Sequence, residues 1–400
     1  MITTINNKHN KLNVPNLRFP EFQGEWEELG LSELLDFKNG LNPKPDKFGK
    51  GIKFISVMDI LNNAVITYDC IKASVDVTEK ELSDFSVEKG DILFQRSSET
   101  LEDVGRANVY MDDKTAVFGG FVIRGKKKGE YSPQYFNYLL RSPFARKRII
   151  PMGAGAQHFN IGQEGLSKVK LHFANIEEQK KIGNFLSLLD ERIATQNKII
   201  EDLKELKCAI IEKVYSEIQG KEYSYGQLFD VVNERNKQME YSNILSASQE
   251  KGMVNRDDLN LDIQFERSNI NTYKIVKKGD YVIHLRSFQG GFAFSDKLGV
   301  CSPAYTILRP NSLLEYGYLS NYFTSQRFIK SLVLVTYGIR DGRSINVDEW
   351  LRMKITIPPK EHQQYIVKVI GTFERKIEDE EAYAAQLSIQ KQYLLRQMFV

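Results

Sequence analysis

The sequence predicts an α/β protein in which two similar α/β domains are separated by a long antiparallel two-helix coiled coil, with internal pseudo-two-fold symmetry. One observation behind this is a seam. Ile182, Leu186, Leu189, Ile193, Ile200, Leu203, Ile210 and Val214 recur in steps of four and three, with Gln196 and Lys207 filling the two interruptions. Shifted by 184, the same phase returns at Ile366, Ile370, Phe373, Ile377, Ala384, Leu387, Leu394 and Met398, with Glu380 and Lys391 at the interruptions. An apolar period of 3.5 held over this length is a coiled-coil pattern. The other observation is a duplication of the segments that precede each seam. Leu34-Leu35-Asp36-Phe37 is answered by Leu228-Phe229-Asp230-Val231, and Lys89-Gly90-Asp91-Ile92 by Lys278-Gly279-Asp280-Tyr281. Tyr135 and Phe144 match Tyr318 and Phe328, and Phe159-Asn160-Ile161 matches Ile345-Asn346-Val347. A period this long indicates a duplicated domain rather than a solenoid.

The boundaries follow in order. Residues 1–175 form the first domain, opened by an extended segment over 1–25 in which Pro15 and Pro20 restrict the backbone and Phe22 and Trp26 anchor it. Strands are expected at 53–57, 64–68, 91–94, 106–110, 116–123 and 169–173, where β-branched and aromatic residues concentrate. Ser132-Pro133 opens a helix predicted to reach about Ile150. The first long helix occupies 176–219, with Asn175 and Glu178 in capping-box spacing and Gly220 as its stop. Residues 220–357 form the second domain, and 358–400 the second long helix, opened by Pro358-Pro359 and Glu361. If the seams pair, the second helix must run back along the first. A helix of this length spans on the order of 60 Å at ~1.5 Å per residue.

Composition is that of a folded protein, 42% apolar and 27% charged, and 400 residues suit two or three domains. The net charge of +3 lies outside the helices, since 177–218 holds 7 Lys/Arg against 9 Asp/Glu and 360–400 holds 6 against 6. Such a mild surplus is compatible with a polyanion partner and does not establish one. Cys70, Cys208 and Cys301 are isolated, which suits a reducing, cytoplasmic setting. No apolar run approaches the ~18 residues of a membrane span.

Chemistry of an enzyme is missing. No Asn-Pro-Pro-aromatic methyltransferase motif occurs, and Asn42-Pro43-Lys44-Pro45 has Lys and Pro in the wrong places. Gly153-Ala154-Gly155-Ala156 follows no strand and precedes a polar loop, and there is no Walker A lysine. His9, His158, His172, His284 and His362 lack metal-ligand spacing, so no metal site is expected. Glu205-Leu206-Lys207, a nuclease-like fragment, lies on the coiled coil with no second carboxylate cluster to hold a divalent ion.

The chain as a whole resembles the DNA-specificity subunit of type I restriction–modification systems. The residues carrying the resemblance are Pro15-Asn16-Leu17-Arg18-Phe19-Pro20-Glu21-Phe22 with Trp26, the turns Gly90-Asp91 and Gly279-Asp280, and the helix starts Ile176-Glu177-Glu178-Gln179-Lys180-Lys181-Ile182 and Pro358-Pro359-Lys360-Glu361-His362-Gln363. The second start departs from the pattern, with His362 where the family often has Glu. The resemblance implies a non-catalytic subunit with two target-recognition domains that read an asymmetric, two-part site on double-stranded DNA. It implies two methyltransferase subunits as partners, and restriction/translocase subunits in the larger complex. No cofactor is implied for this chain; S-adenosylmethionine would belong to the methyltransferase, and ATP and Mg to the restriction subunit. A stand-alone bipartite DNA-binding regulator and a structural protein–protein adaptor stay open as other classes.

DNA-reading residues are expected on polar loops beside strands. In the first domain these are Arg96, Ser97, Ser98, Arg106, Gln157, His158 and Asn160; in the second, Arg286, Ser287, Gln289, Arg340, Arg343 and Asn346. Arg can bond guanine at two positions, and Asn or Gln adenine. The competing reading for each is an ordinary surface or turn-capping role. For Arg141, Arg146, Lys147 and Arg148 a solvated helix face competes with phosphate contact, and Lys126-Lys127-Lys128 reads as a hairpin tip. Lys207 and Lys391 either snorkel from the seam edge or mark where it opens to partner helices. Leu188, Ile199 and Leu206 widen the apolar face beyond a two-strand stripe, so the isolated chain is expected to aggregate.

Overall fold

A computed structural model describes residues 3–4, 13–248, 251–258, 267–284, 291–337 and 344–400. The chain divides into two compact units, residues 1–197 with 382–400, and residues 198–381. Each unit therefore contains one globule and part of each long helix, and each is described separately.

The N-terminal unit is built on a four-stranded antiparallel sheet ordered Ala107–Val109, Ile92–Gln95, Val122–Lys127, Leu35–Asn39. A second four-stranded sheet, of Ser74–Val75, Phe48–Ile55, Ala116–Phe118 and Ser86–Val87, contains one parallel pairing, Phe118 with Ile55. The expected strand over 116–123 is thus two strands, broken at Gly119-Gly120-Phe121 where the chain passes from one sheet to the other. The expected strand at 64–68 is only a bridge between Ile66 and Tyr110. The expected helix from Ser132 is likewise two, Pro133–Arg141 and Pro143–Ile149, because Pro143 lacks an amide hydrogen and Ser142 caps the new start by accepting from Ala145 N at 3.3 Å. Lys170–Phe173 pairs antiparallel with Glu27–Gly30. The core joins Phe94, Ile123, Tyr135, Phe136 and Phe173 to Ile182 and Leu186 of one long helix and Leu394, Met398 and Phe399 of the other.

In the C-terminal unit the same plan recurs. Phe292–Phe294, Tyr281–Ile283, Thr306–Pro310 and Phe229–Val232 form the corresponding antiparallel sheet, in the corresponding order. Lys354–Ile357 pairs with Lys221–Ser224 as Lys170–Phe173 pairs with Glu27–Gly30. Phe229, Tyr281, Phe323, Phe328 and Trp350 pack with Ile211 and Tyr215 of the first long helix and Ile366 and Ile370 of the second.

Two of the sequence matches between the halves shift slightly. Ser325 caps Phe328 N as Ser142 caps Ala145 N, so buried Ala145 is the counterpart of buried Phe328, while Phe144 is exposed. Asn346 caps the short helix Val347–Arg352 and Gly162 stands at the cap of Gln163–Ser167, so the counterpart of Asn346 is Gly162 rather than Asn160.

The long helices run Ile176–Ser216 (41 residues) and Lys360–Gln397 (38 residues). Every seam position named from the sequence, polar interruptions included, is buried or half-buried. Burial of about 1.5–3 kcal/mol per large apolar side chain, before entropy, makes such a seam a major contribution to holding the helices in place. The pairing is antiparallel within each unit. In the C-terminal unit Lys207 Nζ lies 2.7 Å from Glu374 and Lys204 Nζ 2.6 Å from Glu381, so descending numbers on one helix meet ascending numbers on the other. In the N-terminal unit Lys391 pairs with Asp190, which also accepts from Tyr138 Oη at 2.8 Å. Lys207 and Lys391 therefore each end in an ion pair at an interruption of the seam.

Gly220 has no left-handed φ. A Cβ there would lie 2.1 Å from Ile357 O, so the glycine serves a close strand approach rather than a helix stop. Among the described residues, no helix is long and apolar enough to cross a membrane.

Candidate nucleic-acid interface

In the N-terminal unit the hairpin strands Ile92–Gln95 and Ala107–Val109 are joined by residues 96–106. Gln95 N donates to Arg106 O at 2.7 Å and Gly105 N to Gln95 O at 3.0 Å, which closes the base of this loop. Gly105 has φ +67°, and any side chain there would meet Ile149 Cγ2 at 2.7 Å, so only glycine fits.

Two stretches far apart in sequence meet on this loop. Ser97-Ser98 pairs antiparallel with Phe159-Asn160, and Ser97 Oγ donates to Asn160 Oδ1. Asn160 Nδ2 donates to His158 O at 3.3 Å. Gln157 and His158 sit on the exposed turn that precedes Asn160. Arg96 joins these pieces through its backbone: its N–H donates to Phe121 O at 2.9 Å, and its carbonyl accepts from Ile161 N at 2.9 Å. Its Nη1 donates to Gly120 O at 3.3 Å. Arg106 pairs with Asp103 at 2.6 Å with its side chain half exposed. The structure thus brings together Arg96, Ser97, Ser98, Gln157, His158 and Asn160, with Arg106 at the foot of the same loop. The cluster offers guanidinium, amide and hydroxyl groups at the surface, the chemistry that base edges and phosphates require.

The sequence does not mark the support beneath the loop. Arg146 donates through Nη2 to Glu102 O at 2.8 Å and Val104 O at 2.6 Å, and burial lowers its pKa to about 10. Arg141 donates to Asn63 O at 3.2 Å. Both arginines hold backbone carbonyls, leaving Lys147 and Arg148 as the exposed pair of that basic stretch. Gln95 is buried and donates through Nε2 to Ser97 O at 2.9 Å. Its position as the last strand residue before Arg96 was the available signal. Lys126 and Lys127 end a sheet strand, with Lys128 just past it, rather than forming a hairpin tip. Lys127 N donates to Asp91 at 2.9 Å, and Lys126 and Lys128 pair with Glu88 and Asp36.

In the C-terminal unit, Arg286, Ser287, Gln289, Arg340 and Arg343 lie outside the described residues. The hairpin that flanks 285–290 is the counterpart of the Arg96 hairpin, and His284 N donates to Gly291 O at 2.9 Å where it closes. Asn346 accepts from Glu349 N at 3.3 Å and donates to Glu349 Oε1 at 3.0 Å, so its amide is engaged as a helix cap. Among the described residues, no group of three or more His, Cys, Asp or Glu could hold a metal ion.

An antiparallel sheet repeated in both units, with a polar loop cluster at its hairpin in the N-terminal unit, defines a protein with a duplicated recognition domain. The family described as "Type I restriction modification DNA specificity domain" matches residues 23–205 and again 220–388, so the chain belongs to that family and carries the domain twice. The putative type I restriction enzyme MjaX specificity subunit of Methanocaldococcus jannaschii is 23% identical over 390 residues, covering 92% of this chain and 91% of that protein. The EcoKI specificity subunit of Escherichia coli (strain K12) is 25% identical over 138 residues, 34% of this chain and 28% of that one. Among solved structures, the S subunit of a type I restriction–modification system from M. genitalium aligns over 97% of this chain and 99% of its own, with TM-score 0.55 and 15% identity. A chain from a study of type I complex assembly and conformational transition aligns over 92% of this chain and 96% of its own, with TM-score 0.58 and 14% identity.

Proposed function

We propose that this chain is the non-catalytic, DNA-reading subunit of a type I restriction–modification complex, each unit reading one half of an asymmetric two-part duplex target. The observation that carries this reading is the duplicated hairpin sheet whose loop gathers Arg96, Ser97, Ser98 and Asn160 from distant parts of the sequence. The paired helices set the number of unread bases between the half-sites and dock two methyltransferase subunits, and through them the restriction/translocase subunits. An apolar flank beside the seam supports docking: Leu188, Ile389 and Tyr393 are exposed in the N-terminal unit, and Ile199, Leu206 and Tyr365 in the C-terminal unit. S-adenosylmethionine, ATP and Mg chemistry belongs to those partners, and the complex works in the cytoplasm.

Co-expression with the neighbouring methyltransferase and mapping of the methylated bases tests this directly. The expected product is one two-part motif. Arg96→Ala or Asn160→Ala should relax one half of it by about 1–3 kcal/mol of discrimination and leave the other half intact. A heptad inserted at 196–207, matched in the second helix, should lengthen the gap and keep both halves. Altered half-sites at the old spacing would refute the role of the helices. Salt-dependent, sequence-selective binding without any methyltransferase would favour a stand-alone regulator, and no DNA binding under any condition an adaptor.

A further inference from the structure

The N-terminal unit holds an apolar cleft that the reading above leaves unused. Its volume is about 410 Å³, and its lining includes Leu41, Pro43, Phe48, Phe54, Met58 and Phe121, with no charged side chain among the residues that form it. Phe121 is 68% exposed at its mouth, a large cost in apolar surface for a residue that adds little to the core.

The turn carrying Phe121 is locked. A Cβ on Gly119 would meet the Phe54 ring at 2.6 Å, and one on Gly120 would meet Asn42 Oδ1 at 1.9 Å. Both carbonyls of Gly120-Phe121 accept from Arg96, one from its Nη1 at 3.3 Å and one from its N–H at 2.9 Å. The turn that carries the exposed phenyl ring is therefore tied to the arginine of the loop cluster. Lys44, exposed and next in sequence to Pro43 of the lining, carries a positive charge. An exposed phenyl ring on a turn bonded to an arginine of the loop cluster suits a polyanion that presents an apolar group. On the edges of duplex DNA that group is the thymine 5-methyl, which lies in the major groove.

We propose that Phe121, backed by this cleft, is a specificity-determining residue that reads a thymine methyl in the half-site of the N-terminal unit, beside the base contacted by Arg96. The inference rests on the reading of the Arg96 loop as DNA-facing. The test uses the chain in complex with its methyltransferase and the mapped target duplex. Each thymine of that half-site, on either strand, is replaced singly by deoxyuridine, which removes the methyl and leaves pairing unchanged. One replacement should weaken binding by about fourfold, the factor that corresponds to ~0.8 kcal/mol for one buried carbon. Phe121→Ala should bind the thymine and deoxyuridine duplexes equally, and Phe121→Leu should keep part of the difference. The inference is overturned if the half-site lacks thymine, if no replacement matters, or if the methyl preference survives in Phe121→Ala. It is equally overturned if Phe121→Ala prevents assembly with the methyltransferase, which would make the cleft a protein-docking site. An unchanged motif in Arg96→Ala would sink the reading of the loop itself. A changed motif without a deoxyuridine effect sinks only the role of Phe121.

Discussion

The two units begin their long helices differently, although both starts read alike in sequence. In the N-terminal unit Glu178 is fully buried, and both of its oxygens accept from Arg18, from Nε and Nη2 at 2.7 Å each. Arg18 also donates to Gly24 O at 2.6 Å, so the entry segment is clamped onto the helix. Asn175 caps Glu178 N at 2.9 Å, but the Glu178 carboxylate serves the arginine instead of completing a capping box. In the C-terminal unit the corresponding residue is His362, which is exposed. The glutamine that follows is the part both units share. Gln179 accepts from Ser132 N at 3.0 Å and donates to Ala174 O at 2.8 Å. Gln363 accepts from Glu315 N at 2.8 Å and donates to Leu313 O and Pro358 O at 3.0 Å each. Fixing helix to globule is thus the common requirement, and the ion pair is an addition that only an entry segment makes possible.

That contrast can be broken experimentally, most severely through the clamp. Arg18→Ala leaves a buried carboxylate uncompensated and should cost about 3–5 kcal/mol of unfolding free energy in urea, whereas His362→Ala should stay within about 0.5 kcal/mol. Equal effects would show that the clamp adds nothing. Gln179→Ala and Gln363→Ala should each cost about 1–3 kcal/mol, because buried backbone groups lose their partners. A large loss from one and none from the other would refute the shared role.

The smallest effect concerns the buried aspartates of the two Gly-Asp turns, Asp91 and Asp280. Asp280 accepts two bonds from Arg309 at 3.0 Å, while Asp91 accepts from Glu88 N at 3.0 Å and Lys127 N at 2.9 Å. Burial raises the Asp91 carboxyl above its usual 3.8, partly offset by those backbone bonds. Between that value and the raised one, the folded state binds more proton than the unfolded state, so the contribution of Asp91 to stability falls as pH rises through this window. The stability difference between the native protein and Asp91→Asn, read from urea midpoints across the acid range, should fall as pH rises through this window.

Much of this was legible in the sequence, for a physical reason. A seam repeated every 3.5 residues specifies a coiled-coil helix, and the recurrence of its polar breaks signals duplication. The ion pairs at Lys207 and Lys391 were not legible, because Glu374 and Asp190 lie on the other helix and look like ordinary surface acids. At the hairpin cluster, residue type suggested Arg96 and Asn160 separately. Their meeting depends on a two-residue ladder too short to leave a periodic signal. Arg146 is not legible as a support, because a basic helix stretch looks solvated unless the loop above it is known. Phe121 sits within an apolar run that reads as one strand, although Gly119-Gly120 marks a break there.

The glutamine joints also bear on how new recognition modules could arise. Since Gln179 and Gln363 grip main-chain atoms only, at Ser132 and Ala174 in one case and at Leu313, Glu315 and Pro358 in the other, neither joint inspects the side chains it holds. A foreign module that presents the same peptide groups at those places would keep both joints, and would have to match only the apolar side chains that the stem offers it.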